Sequence, residues 1–249
     1  MKTKKSILFL FISLLTIGFS GCLGDGDNKE RQEIRGIVHY EGTSLILKTN
    51  HPYWGTIYVP GLASQDPFIS EGTCIAAIVE VDFDDRSGGT KYYTGQVLDW
   101  IKIDRSYLEI TNDVSTMYND TIDAISLPAF IDKVVFLQAI YQKGKSDSRY
   151  SYQLVCNTDS IKDGIHSLYF NSYMDEGSGS TSILAKDAAF DISSFIYQYG
   201  RDTTVSQVDY TYIKFYLNYP KNKDKDGELI YSVANDGKPV ELFTPKSTN

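Results

Sequence analysis

From Ile75 to Phe83 the chain alternates: Ile75, Ala77, Val79, Val81 and Phe83 fall on one side, and Ala76, Ile78, Glu80 and Asp82 on the other. A period of two over that length predicts a half-buried strand. Similar runs predict strands over Glu33–Tyr40, Ser44–Thr49, Gly55–Val59, Thr73–Phe83 and Lys91–Ile103, punctuated by Glu41-Gly42, Asn50-His51-Pro52 and the stretch Asp84 to Gly89. A second block predicts seven more: Lys133–Gln142, Arg149–Asn157, Gly164–Tyr173, Ile183–Ile192, Tyr210–Tyr219, Glu228–Val233 and Pro239–Phe243. Short β-branched and aromatic runs between turn signals are the mark of an all-β chain. Five strands in the first block fit a small closed barrel of OB type, and seven in the second fit a β-sandwich. Residues 126–142 are ambiguous. Ser126, Pro128 and the set Phe130, Val134, Leu137, Tyr141 also suit a capped helix, but Val134-Val135-Phe136 favours a strand.

The first 21 residues follow a different pattern. Lys2, Lys4 and Lys5 precede an uncharged apolar stretch, Ile7 to Phe19, thirteen residues long. That suits a signal peptide and falls short of the roughly 20 residues of a membrane-spanning helix. Ser20-Gly21-Cys22 then resembles a lipobox, whose cysteine is lipidated and becomes the first residue of the mature chain, although Phe19 stands where Leu is commonest. Leu23 to Gln32 is polar and glycine-bearing, as expected of a flexible tether; its acidic cluster resembles the surface-export signal of Bacteroidetes lipoproteins. The expected organisation is therefore a signal peptide (1–21), a lipidated tether (22–32), an OB-like barrel (33–106) and a β-sandwich (107–249), anchored to the outer membrane and exposed at the cell surface.

Composition narrows the partners. The formal net charge is −8, and removing residues 1–21 takes away three lysines and no acids, leaving −11. Such a chain lacks the basic face needed for nucleic acid or anionic headgroups. With Cys22 lipidated, Cys74 and Cys156 remain, expected to be free and buried as small apolar side chains.

The arrangement of lipidated cysteine, acidic tether, OB-like domain and β-sandwich resembles the NigD-like lipoproteins. The residues that carry it are Gly95-Gln96-Val97-Leu98, Asp123 to Gln142 with Tyr152-Gln153-Leu154-Val155, Ser167-Leu168-Tyr169-Phe170 and Phe190-Asp191-Ile192-Ser193. The resemblance implies a strand pattern without an invariant chemical motif, and no biochemical activity follows from it.

Candidate chemistry is sparse. His39, His51 and His166 are the only histidines, and none adjoins a G-x-S-x-G elbow, so a hydrolytic triad is not expected. The acids cluster in loops, at Asp82-Phe83-Asp84-Asp85, Asp175-Glu176 and Asp224-Lys225-Asp226-Gly227-Glu228. The last resembles a fragment of a calcium loop but lacks its distal ligand, and the interleaved Lys221, Lys223 and Lys225 oppose a cation. No metal and no cofactor is expected. Asn50-His51-Pro52-Tyr53-Trp54-Gly55 is the most suggestive loop: its aromatics either project for a sugar or protein contact, or Trp54 caps the barrel core, the reading preferred here. Trp100 reads as core. The expectation is a non-catalytic binding or accessory lipoprotein with a protein or glycan partner and no assigned binding residues. The alternatives are a fimbrial or adhesion subunit built by strand addition and, less favoured, a glycan-active enzyme.

Overall fold

The computed structural model describes residues 28–84, 91–112, 118–145, 148–175, 181–206 and 208–246. The chain divides into two compact units between Ile101 and Lys102.

The first unit is a closed five-stranded barrel of β1 (Lys29–Glu41), β2 (Ser44–Thr49), β3 (Thr56–Tyr58), β4 (Cys74–Asp82) and β5 (Tyr93–Ile103). Its order is β1-β2-β3-β5-β4, with β3 and β5 parallel and a single helical turn, Leu62–Gln65, between β3 and β4. This is the OB arrangement expected from the strand spacing. The inward set of β4 is the predicted one: Ile75, Ala77, Val79 and Val81 are buried. The stretch Lys29 to Gln32, expected to be tether, instead opens β1, pairing with Asp82 to Val79. Its polar look misleads because Lys29, Arg31 and Glu33 occupy the exposed side of the strand, where Lys29 reaches Glu80 at 3.7 Å. Gly36 faces both Thr49 of β2 and Ile75 of β4, at the point where β1 changes partner. A Cβ there would stand 2.6 Å from the Leu47 side chain, so the bend needs glycine.

The second unit is a sandwich of two mixed sheets. One contains β6 (Arg105–Tyr107), β8 (Ala124–Ile125), β9 (Ala129–Ile131), β10 (Val134–Lys145) and β13 (Thr181–Asp191). The other contains β7 (Glu109–Thr111), β11 (Tyr150–Lys162), β12 (Ile165–Met174), β14 (Arg201–Val205), β15 (Val208–Lys223), β16 (Leu229–Val233) and β17 (Val240–Pro245). Their hydrogen-bonded paths run β6-β13-β10-β8, with β9 also on β10, and β14-β15-β12-β11-β7, with β16 and β17 also on β15. Inward side chains of both sheets form one core, with Leu137 and Phe190 from the first and Phe170 and Phe215 from the second. The arrangement is therefore two sheets packed face to face.

Two expectations change and one ambiguity is resolved. The boundary falls before the expected 106/107, because Arg105-Ser106-Tyr107 pairs in parallel with Ala189-Phe190-Asp191. Within residues 126–142 the preferred strand reading holds: β9 and β10 occupy most of the range, and Ile131 pairs with Val134 across a tight turn at Asp132 (φ 53°), where the helical reading required continuous helix. Five further strands, all of five residues or fewer, join the seven expected. A short helix, Ser193–Tyr199, buries Phe195 and Ile196 before Gly200.

Gly200 is tightly enclosed. A Cβ there would lie 2.4 Å from both the Ile196 carbonyl oxygen and Thr211 Cγ2, whereas one on Gly61 would meet nothing within 4 Å. Gly200→Ala should cost about 1–3 kcal/mol through overpacking, and Gly61→Ala, whose φ is −69°, should be neutral or slightly stabilising. Urea titration of the two variants checks this; equal midpoints would contradict it.

Candidate functional site

The loop after β2 is built on hydrogen bonds between its two ends. His51 N–H donates to Thr49 Oγ1 at 3.1 Å, and Gly55 N–H donates to the His51 carbonyl at 3.0 Å. Gly55 takes φ 47°, a left-handed conformation that favours glycine. The fold sends the two aromatics in opposite directions. Trp54 is 6% exposed and belongs to the barrel core, while Tyr53 is 86% exposed. The preferred reading of Trp54 as a core cap therefore holds. His51 lies stacked on the indole at 3.8 Å, and burial pulls its pKa below the ordinary value against the opposing pull of Glu30. Trp54 Nε1 is buried and finds no hydrogen-bond partner among the described residues. Trp100, expected in the core, is only half-buried against it.

The other histidines are distributed one to each unit. His39 in the barrel contacts Glu71, whose second carboxylate oxygen accepts the Tyr40 N–H at 2.7 Å. His166 lies at the edge of the sandwich core, its ring 4.0 Å from that of Tyr199 and edge-on to Phe195. Burial lowers its pKa. Cys74 and Cys156 are buried and not disulfide-bonded, as expected, and burial pushes Cys156 up to about 11.

Asp224 and Asp191 serve local structure. Asp224 Oδ1 accepts the N–H groups of Asp226 and Glu228, both at 2.9 Å, which closes the hairpin before β16. Among the described residues no group of three His, Cys, Asp or Glu is placed to hold a metal ion. Among the described residues Asp191 is the buried carboxylate of the sandwich. It pairs with Arg105, and its Oδ1 accepts the Ser193 N–H at 2.9 Å, tying β6 to β13 and to the start of the short helix. Burial alone would raise its pKa, but hydrogen bonds from Ser193 and Arg105 outweigh burial and hold it below the ordinary 3.8.

The feature that reading the sequence missed is the outward face of the second sheet. On β15, Ile213, Phe215, Leu217 and Tyr219 are buried, so Tyr210, Tyr212, Lys214 and Tyr216 point the other way. Phe243 and Glu241 stand on the same side of β17, opposite Tyr212 and Lys214, and Arg201 of β14 stands opposite Tyr212 on its other flank. The Phe243 and Tyr212 rings are 4.8 Å apart, Lys214 and Glu241 pair at 2.8 Å, and Lys162 sits 5.5 Å from the Tyr216 ring centre. Phe243 is 46% exposed. The signal in the sequence was Tyr210-Thr211-Tyr212-Ile213-Lys214-Phe215-Tyr216, where aromatics fill both parities of one strand.

An OB barrel followed by a mixed-sheet sandwich defines the class of protein. No protein-family model matches the chain, and no curated protein matches its sequence. Among solved structures, a protein from Parabacteroides merdae matches with a TM-score of 0.58 and 14% identity, over 85% of this chain and 98% of its own. A candidate lipoprotein from Bacteroides fragilis matches at 0.55 and 16%, over 88% and 100%. A NigD-like immunity protein from Bacteroides caccae matches at 0.50 and 14%, over 85% and 96%. The resemblance to NigD-like proteins drawn from the strand pattern is thus present in the three-dimensional fold.

Two outcomes follow from these environments. Trp54→Ala should cost ~3–5 kcal/mol of stability, whereas Tyr53→Ala should change it by less than about 0.5 kcal/mol; thermal melts of the two variants separate the roles. Asp191 has a depressed folded pKa, so its contribution is present above the ordinary carboxylate value and lost as pH falls through the folded one. The stability gap between wild type and Asp191→Asn should be full at neutral pH and close in acid. A gap that stays constant from pH 7 to pH 2 would overturn this assignment.

Proposed function

We propose that this protein is a non-catalytic lipoprotein, anchored to the outer membrane through lipid on Cys22, exposed at the cell surface, and acting by binding as an accessory to a larger assembly. The observation that carries the reading is the basic n-region, the short apolar stretch and Ser20-Gly21-Cys22. The segment and Cys22 lie outside the described residues. In support, the fold is shared along most of the chain with a candidate lipoprotein of Bacteroides fragilis. A single acyl chain holds a protein to a membrane only marginally, and stable anchoring needs more than one, which a diacylglyceryl cysteine supplies. The tether beyond Cys22 is then short, and β1 begins at Lys29.

Binding, as opposed to catalysis, fits where the reactive side chains lie. The His51 ring is stacked on Trp54 and the His166 ring lies against Tyr199, and burial raises the Cys156 thiol well away from the thiolate a nucleophile needs.

Metabolic labelling with a clickable fatty acid should mark wild type and leave Cys22→Ala unmarked; equal labelling would overturn the anchor. Protease added to intact cells should degrade the protein. Survival until the outer membrane is opened would place it on the periplasmic side instead.

A further inference from the structure

Sheets that are covered on one side normally carry polar residues on the other. The open side of the second sheet departs from that rule. Along β15, Tyr210, Tyr212 and Tyr216 occupy outward positions that would suit Thr, Lys or Glu, and Phe243 adds a fourth ring from β17. These rings are neither core nor loosely mobile. Tyr212 is held against Phe243, and Tyr210 meets Phe243 edge-on at 6.2 Å. Their orientation is therefore set before any partner arrives, so little side-chain entropy is lost on contact.

Charge on this face runs against the rest of the chain. Arg201 flanks Tyr212, Lys214 lies between Tyr212 and Tyr216, and Lys162 lies beside Tyr216, with Glu241 the paired acid. The chain as a whole carries −8. A cationic aromatic strip on an acidic protein is complementary to an anionic ligand that also offers flat, weakly polar surfaces.

We infer that the outward face of the sheet around Tyr212, Lys214, Tyr216 and Phe243 is a binding site for an acidic polysaccharide. A pyranose ring presents a face of C–H groups with partial positive charge, which the negative face of an aromatic ring attracts. Uronic acid carboxylates supply partners for Arg201, Lys162 and Lys214. Tyr212 and Tyr216 are four residues apart on one strand, roughly 13 Å, with a cation between them, which suits several linked sugars more than one. The tyrosine hydroxyls add hydrogen bonds to sugar hydroxyls at low conformational cost. A protein partner is less well suited, because protein hot spots centre on an anchor buried in a pocket, and this strip is a shallow, half-buried surface.

The inference deepens the binding role proposed above and is independent of the lipid anchor. A protein labelled at Cys22 that fails the following test loses only the glycan site. The mature chain, purified in nonionic detergent, is run on native gels containing polygalacturonate, neutral dextran or no polymer. Polygalacturonate should retard wild type, dextran should retard it less, and added salt should weaken the effect. The net negative charge of the protein opposes a polyanion, so bulk electrostatics cannot produce the retardation. Tyr212→Ala and Phe243→Ala should each weaken binding about tenfold or more. Lys214→Gln, which leaves the rings in place, should weaken it and flatten its salt dependence. Circular dichroism and thermal midpoints confirm that each variant is folded. No retardation of wild type, equal retardation by dextran, or retention of binding in all three folded variants would overturn the site.

Discussion

The sandwich depends on β15 having both edges occupied. Tyr212 faces Arg201 on one side and Phe243 on the other, Phe215 faces His166 and Val240, and Asn218 faces Tyr169 and Val233. A buried backbone group without a partner costs about as much as a lost hydrogen bond, and this sixteen-residue strand crosses the centre of the unit. Four neighbours, antiparallel β14 and parallel β12 along one flank and antiparallel β17 and β16 along the other, remove that cost. With the backbone satisfied, one side of the strand is free to bury Ile213, Phe215 and Leu217 against the first sheet. The other side is left to carry whatever chemistry the protein needs.

The same logic explains why most strands were legible and some elements were not. Ser44–Thr49 was read with its observed bounds, because Leu45, Ile46 and Leu47 stand between clear turn signals and all three are buried. The inward face of Ile75 to Phe83 was equally plain. By contrast, β14 reads Arg201-Asp202-Thr203-Thr204-Val205, an exposed strand with only Thr203 half-buried, so no alternation marks it. It exists because β15 supplies a template of unpaired backbone groups, a tertiary cause absent from the local pattern. The start of β1 was hidden in the same way. The helix Ser193–Tyr199 is a single exposed-to-buried excursion too short for a period to show, and its first amide is held by Asp191, a residue read only as part of a strand.

Site residues followed a different rule. The turn at Tyr53-Trp54 was found from composition, and its two aromatics were assigned by geometry: one completes the barrel and the other meets solvent. The aromatic strip on β15 escaped because aromatics are ordinary strand formers. Only the observed register, placing Tyr212 with Phe243 and Lys214 with Glu241, distinguishes tyrosines that face outward from phenylalanines that face in.

Fold and function therefore answer to different parts of this sequence. Solved structures only 14–16% identical share the arrangement, which is expected when a fold requires apolar side chains of roughly suitable volume at alternating positions and tolerates exchange among them. Outward positions carry no such requirement, so a shared fold transmits no ligand from one chain to another. For that reason the strip must be judged on its own physics. Tyrosine and phenylalanine on a solvent-facing sheet give up hydration that Thr or Lys would keep, and the Tyr212–Phe243 packing recovers only part of it. A partner that covers those rings would recover more, and the cations at Arg201, Lys162 and Lys214 restrict which partner that is.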